Sequence, residues 1–203
     1  MFEVRIHGRG GQGVVTAAEL LAVAAFEEGR FAQAFPSFGS ERTGAPVVSY
    51  CRLDEREIRT REPVVAPDTL IVLDPTLVHQ VDLFSGLSGT GFVLVNTTRS
   101  FEELGLGTLL DRFQHDRLLT VPATEIAQRR TGRSVPNAVL LGGFAALTGE
   151  VSIDAVTKAV WDRFGNDVSV AERNVAAAAE AYAYVRREMA GGEVRVMLSA
   201  PAD

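Results

Sequence analysis

A single cysteine, Cys51, stands in a chain of 203 residues. That excludes an internal disulfide, a four-cysteine iron–sulfur site and a zinc ribbon built within this chain. Cys51 falls in the strand-like run VVSYCRL, where a buried, inert thiol is far commoner than a nucleophile. The three histidines, His7, His79 and His115, are scattered, and neither H-E-x-x-H nor G-x-S-x-G occurs. There is no run of Lys or Arg and the formal net charge is −6, so no nucleic acid is expected as a partner. No apolar run reaches membrane length, and no basic segment with a cleavage site opens the chain. A cytoplasmic protein without membrane contact is expected. Lacking a recognisable catalytic set, the chain is poorly equipped to act as an enzyme by itself.

What the sequence does carry is HGRGGQGVVTAAELLA at residues 7–22. Gly8, Gly10 and Gly13 have the spacing G-x-G-x-x-G between FEVRIH, which alternates like a strand, and VVTAAELLAVAAFEEG, which keeps helical period. Glycines let backbone approach a ligand, and the free N–H groups and dipole of the new helix attract an anion. The same turn can also serve only to pack a helix on a strand. A dinucleotide site demands an acidic residue about 20 positions on, at the end of the second strand, to hold the ribose. Gln33 and Ala34 stand there, and Glu27 and Glu28 belong to the end of the first helix, so a simple NAD site is disfavoured. His7, beside the turn, is either a packed strand-end histidine or, less commonly, a base.

Composition, 46% hydrophobic and 23% charged, suits one well-filled α/β domain. AFPSFGSERTGAP is expected as an exposed loop, and VVSYCRLDEREIRTR as a hairpin joined near Asp54 and Glu55. TLIVLDP, GFVLVNTT and RLLTVPA are predicted strands, the first two ending in Asp74 and Asn96, where ligands of open α/β sheets bind but where turn formation and helix capping also use such residues. Helices are predicted in PATEIAQRRTG, in VPNAVLLGGFAALTG with Asn137 at its start, in SIDAVTKAVWDRFG capped by Ser152, and in the alanine-rich SVAERNVAAAAEAYAYVRREMAGG. EVRVMLSAPAD is expected as a late strand or an arm onto a partner. The predicted fold is α/β: a three-layer α/β/α Rossmann-like mixed sheet in a single domain, residues 1–190, with an inserted hairpin, a helical C-terminal half and a tail at 191–203.

GRGGQGVVTAAELLA, then FPSFGSERTGAPVVSYCRL, LIVLDP and VPNAVLLGGFAALTG, in this order and at these separations, resemble the gamma subunit or gamma domain of 2-oxoacid:acceptor oxidoreductases. The resemblance spans roughly residues 2 to 185. G-x-G-G-Q-G joined to a downstream SER-x-GAP loop is far more specific than either part alone. The resemblance implies a division of labour in which thiamine diphosphate, Mg and 4Fe-4S clusters lie on alpha-, beta- and delta-type subunits. The 2-oxoacid is oxidatively decarboxylated there, electrons leave to ferredoxin or another acceptor, and coenzyme A takes the acyl group. The gamma piece completes the assembly and contributes to the coenzyme A site at a subunit interface.

Carried over by position, the resemblance places Gly10, Gly11, Gln12 and Gly13 along the diphosphate end of coenzyme A and gives the Asn137 amide hydrogen bonds to the same ligand. Ser40, Glu41 and Arg42 match a loop facing the catalytic subunits. Arg42 could pair with a phosphate, or Glu41 and Arg42 could form an interface salt bridge. Arg9 and Arg42 supply local positive charge that a polyanion needs in an acidic protein. Asn174 is kept in the last helix, but alanines and a tyrosine follow it where the family often has a glycine. Two other readings stay open: an independent nucleotide-binding oxidoreductase with a degenerate fingerprint, and a structural adaptor in which the glycine turn only packs helix on strand.

Overall fold

The alternation in FEVRIHGR forms a strand, β1 (Phe2–Arg9), with Val4 and Ile6 wholly buried. In the computed structural model, which describes residues 1–37 and 44–199, a glycine turn leads from β1 into helix α1 (Val14–Glu27). Strands β2 (Phe31–Pro36) and β3 (Pro46–Asp54) follow, then β4 (Thr69–Val72), β5 (Phe92–Asn96) and β6 (Leu118–Val121). The sheet order is β2-β3-β1-β4-β5-β6. β3 runs antiparallel to both β2 and β1, whereas β1, β4, β5 and β6 are parallel. The α/β expectation of a mixed sheet in one domain holds.

The hairpin lies elsewhere than the sequence suggests. β3 pairs with β2 on one side and β1 on the other, so it has no free edge for a strand from EREIRTR, and residues 55–68 contain no strand. The antiparallel pair is β2–β3, and AFP, expected to begin a loop, completes β2. Pro36 at the end of this edge strand removes a donor where no neighbour needs one.

Alternation along the parallel strands feeds two apolar clusters on opposite faces. Ile71 and Leu94 join α1 and helices α3 (Ala123–Thr131), α4 (Asn137–Thr148), α5 (Ile153–Phe164) and α6 (Val168–Ser199). Leu70, Val72, Val93 and Val95 join Leu77, Leu83, Phe101 and Leu109, carried by irregular chain, a 3-10 turn at Pro75–His79 and the one-turn helix α2 (Gly107–Leu110). One outer layer is therefore thick and helical and the other thin. Two buried arginines fasten the thin layer. Arg5 donates to the carbonyls of Leu83 (2.7 Å) and Ser85 (2.6 Å), and Arg52 pairs with Glu3 (2.7 Å) and donates to the Glu62 carbonyl.

α4 is apolar on every face and buried from Asn137 to Leu147, the mark of a central helix. It crosses α6 at Gly142, where an added Cβ would lie 1.9 Å from the Ala178 carbonyl oxygen, against the fully buried Ala177, Ala178 and Ala181. α5 starts as expected, with Ser152 Oγ accepting from the Ala155 N–H. The backbone of α6 stays helical to Ser199 instead of giving a strand in EVRVMLS. Extending a formed helix fixes one residue at a time, whereas a new strand would need an edge to pair with.

Candidate functional site

The glycine turn is held open from outside. Gly10 donates to the Ala45 carbonyl (2.9 Å) and accepts from the Gly44 N–H (3.2 Å), Gln12 N–H closes back on the Arg9 carbonyl (3.1 Å), and Ser49 Oγ donates to the Val14 carbonyl (2.8 Å). Gly11 (φ 96°) and Gly13 (φ 79°) take left-handed backbone, and Gly13 caps α1 without any side-chain acceptor. The N–H groups of Gly11, Gly13, Val14, Val15 and Thr16 donate to no group among the described residues. A helix start left uncapped in this way has unpaired donors with which it can accept an anion.

Two side chains expected to serve a ligand serve the turn instead. Gln12 Oε1 accepts from the Arg9 N–H and Gln12 Nε2 donates to Asp74 Oδ2, both at 2.8 Å. The Arg9 guanidinium pairs with Asp74 (3.2 Å) and donates to the Gly44 carbonyl, Thr76 Oγ1 and Gln80 Oε1. Its charge is thus neutralised internally rather than offered to a polyanion. Partial burial works against Asp74 ionising, but donors from Thr76 and Gln12 and the nearby Arg9 outweigh it and hold the carboxyl below its ordinary range. Asp74 also caps the 3-10 turn by accepting from Thr76 N–H. Asn96 is structural as well, bonding the Leu73 carbonyl (2.7 Å) and both Oγ1 and N–H of Thr124 at the start of α3.

Asn137, 5% exposed, brings the start of α4 against the start of α1. Its Oδ1 accepts from the Ala138 N–H (2.8 Å), while Nδ2 lies so close to Gly13 that an added Cβ there would be 2.4 Å away. Gly13 is shared by two depressions. One, about 290 Å³, is lined by Gly10, Gly11 and the first turn of α1. The other, about 440 Å³, runs past Asn137 to α5 and α6. Gly10, Gly11, Gly13 and Asn137 are thus brought together. Ser40, Glu41 and Arg42 lie outside the described residues. The sequence reading missed the Arg9–Asp74–Gln12 lock, whose one sequence signal was an Asp at a strand end.

Among the described residues the geometry of a dinucleotide site is absent. Strand β3 separates β2 from β1, so a residue ending β2 is not beside the glycine turn, and Gln33, midway along β2, accepts from Arg52 (3.3 Å). Cys51 is fully buried and burial pushes its thiol up, consistent with an inert residue. No group of three or more metal-ligating side chains occurs among the described residues, and no helix among them is long and apolar enough to cross a membrane.

His7 is buried with Nε2 unpartnered, and its imidazole is pushed down to about 4, first by desolvation and then by Arg5. The unfolded chain takes up this proton near 6.5, whereas the folded one resists it until about 4. Stability is then fully present above pH 6.5 and falls as the pH drops towards 4, by on the order of 3 kcal/mol from this group. Thermal melts between about pH 7 and 4.5 are expected to show a fall that His7→Asn lessens. An equal fall in both proteins would assign the acid sensitivity to other groups.

A family model described as pyruvate ferredoxin/flavodoxin oxidoreductase matches residues 3–184. The common gamma subunit of the pyruvate/ketoisovalerate oxidoreductases of Pyrococcus abyssi is 45% identical over 184 residues, 90% of this chain and 96% of that relative. The solved pyruvate oxidoreductase subunit PORC of Thermotoga maritima resembles this chain with a TM-score of 0.74 at 35% identity, over 89% of this chain and 94% of that one. The 2-oxoglutarate:ferredoxin oxidoreductase of Magnetococcus marinus, solved with 2-oxoglutarate, coenzyme A and succinyl-CoA bound, shares the fold at 17% identity and a TM-score of 0.68, over 92% of this chain and 31% of its own. With a family match across nearly all the described fold and relatives matched almost end to end, the chain belongs to the pyruvate ferredoxin/flavodoxin oxidoreductase family, as a gamma-type subunit.

Proposed function

We propose that this chain holds coenzyme A for a multisubunit 2-oxoacid:acceptor oxidoreductase whose redox chemistry takes place in partner subunits. The observation that carries the reading is the uncapped start of α1, where free N–H groups converge beside a glycine that leaves no room for a side chain. A diphosphate fits such donors, and the buried Asn137 amide adds a further one. Gly10, Gly11 and Gly13 act through their backbone, Gln12 fixes the turn, and Arg42, which lies outside the described residues, is assigned as a cation for the same ligand on the sequence resemblance alone. Thiamine diphosphate, Mg and 4Fe-4S clusters belong to alpha-, beta- and delta-type partners, which also meet ferredoxin or another acceptor. Thiamine diphosphate supplies the decarboxylation chemistry when bound there. The complex works in the cytoplasm and yields the acyl-CoA of its 2-oxoacid.

Gly11→Asp tests this reading. No atom lies within 4 Å of a Cβ built at Gly11, so the carboxylate has space where the phosphate is proposed, at the cost of the backbone strain that φ 96° gives any L residue; Gly11→Ala carries that strain without the charge and is expected to keep most of the affinity. Calorimetry on the assembled complex is expected to give a coenzyme A affinity at least about tenfold weaker, the scale of one strong charge contact, with the complex still assembled. Unchanged affinity in the intact complex would contradict the role and favour the adaptor reading. Tight NAD(P) or flavin binding by the isolated chain would favour an independent oxidoreductase.

A further inference from the structure

Strand β2 forms one margin of the sheet, and its sequence FAQAFP carries no charge. Free sheet edges are normally guarded by charged side chains, because their unpaired N–H and C=O groups invite another strand. The Ser37 N–H donates to the Val48 carbonyl (2.9 Å), so the alternation of the antiparallel ladder turns the backbone groups of Phe31, Gln33 and Phe35 towards β3. Those of Ala32 and Ala34 consequently point away from the sheet. The Arg30 N–H turns back to the Ala25 carbonyl (3.1 Å) and Pro36 has none, which leaves Ala32 and Ala34 as the donors of this edge.

Both faces beside the edge are apolar. Ala32 and Ala34 lie with Val15 and Ala22 of α1 against the main cluster, and Phe26, on the same side of that helix, is 72% exposed. On the other face Phe31 is 49% exposed, Phe35 has its ring centre 5.2 Å from that of Tyr50, and Gln33 stands between the two phenylalanines. Gln33 Oε1 accepts from Arg52, whereas its Nε2 donates to no group among the described residues.

Residues 31–35 read Phe-Ala-Gln-Ala-Phe, the same in both directions. A twofold axis beside Gln33 therefore sets like against like. Ala32 of each copy meets Ala34 of the other in reciprocal N–H to C=O bonds, each Phe31 lies opposite the other copy's Phe35, and the two Gln33 amides face each other. Dipoles meet their opposites, and no charge of the strand is set against its own image. A foreign strand would satisfy the same backbone groups, but the palindrome favours a second copy, since it matches the side chains at every cross-strand pair. The exposed portions of Phe26 and Phe31 amount to roughly 200 Å² per copy. With the strand edge added, the covered area is on the order of 500 Å² per copy, below the ~800 Å² of a standard interface, so pairing of the isolated chain is expected to depend on concentration.

We propose that two copies of this chain pair antiparallel through β2, continuing the sheet across a twofold axis at Gln33. The test is disulfide trapping in the full chain and in the assembled complex. Facing residues of such a non-hydrogen-bonded pair stand about 4.5 Å apart at Cα, within reach of a disulfide. Gln33→Cys is therefore expected to give a covalent dimer of this chain under oxidised glutathione, and the fully buried Cys51 does not compete. Phe31→Cys alone is expected to give none, because its own image lies four residues along the strand, roughly 13 Å away. Mixed with Phe35→Cys, it is expected to cross-link, which fixes the register. Ala34→Pro removes an N–H from the free edge and none from the β2–β3 ladder, so sedimentation is expected to show dimerisation of the full chain at least about tenfold weaker, with the fold retained. A chain that stays monomeric at every concentration, or dimerisation undiminished by Ala34→Pro, would overturn the pairing. So would a complex in which the thiol introduced at position 33 links to a different subunit or to nothing.

Discussion

Gly13→Ala is expected to weaken coenzyme A binding by about thirtyfold or more and to lower the melting temperature by several degrees. Two costs coincide at this position. The backbone stands at φ 79°, where an L side chain loses roughly 1–2 kcal/mol. The new methyl would also sit 2.4 Å from Asn137 Nδ2 and 3.0 Å from its Cγ, so the asparagine must leave its place or the turn must open. Either movement spoils the junction of two helix starts that offers the donors. Calorimetry of the complex and thermal melts of the chain measure the two effects separately. Asn137→Ala relieves the clash without restoring the amide, so the double variant is expected to regain melting temperature and not affinity. Wild-type affinity in Gly13→Ala would show that the junction is not where the ligand binds.

Gly142→Ala is expected to have the largest effect on stability, about 3 kcal/mol or more, above the usual range for overpacking. The atoms in the way are backbone: a Cβ would meet the Ala178 carbonyl oxygen at 1.9 Å and its carbon at 2.7 Å, and no rotamer change moves them. Helices α4 and α6 would have to separate, which loosens contacts made by the fully buried Ala177, Ala181 and Val185. The neighbouring Gly143 is the control. A Cβ there meets first the Leu94 side chain at 3.3 Å, which can give way, so Gly143→Ala is expected to cost less than about 1 kcal/mol. Urea unfolding of both variants distinguishes them, and equal losses would mean that the helix crossing is not set by Gly142.

The strand–turn–helix at the start of the chain was legible because local signals agree there: alternation, glycine spacing and helical period change at the same residues. The apolar runs of β4 and β5 and the Ser152 cap were legible for the same reason. The partner of β3 was not, because pairing depends on which edges are free, and both edges of β3 are taken by strands far apart in sequence. Nor could the sequence reveal that Arg9 is neutralised by Asp74, 65 positions away, or that Arg133, Arg163 and Arg173 border one cleft. Charges are visible in a sequence, whereas the distances between them are made by packing. The resemblance to gamma subunits supplied the family, and the geometry then separated Gln12 and Arg9, which build the turn, from Gly13 and Asn137, which face the cleft.

The central claim, that this chain works inside a larger oxidoreductase and carries none of its redox cofactors, is tested most directly by one preparation. The complex is purified from its native host through a tag on this chain, its intact mass is measured, and thiamine diphosphate and iron are analysed in the same sample. The expected result is a hetero-oligomer containing both, which loses both when this chain is dissociated and isolated. A lone monomer or homodimer with neither would contradict the account and return the glycine turn to an independent nucleotide-binding protein.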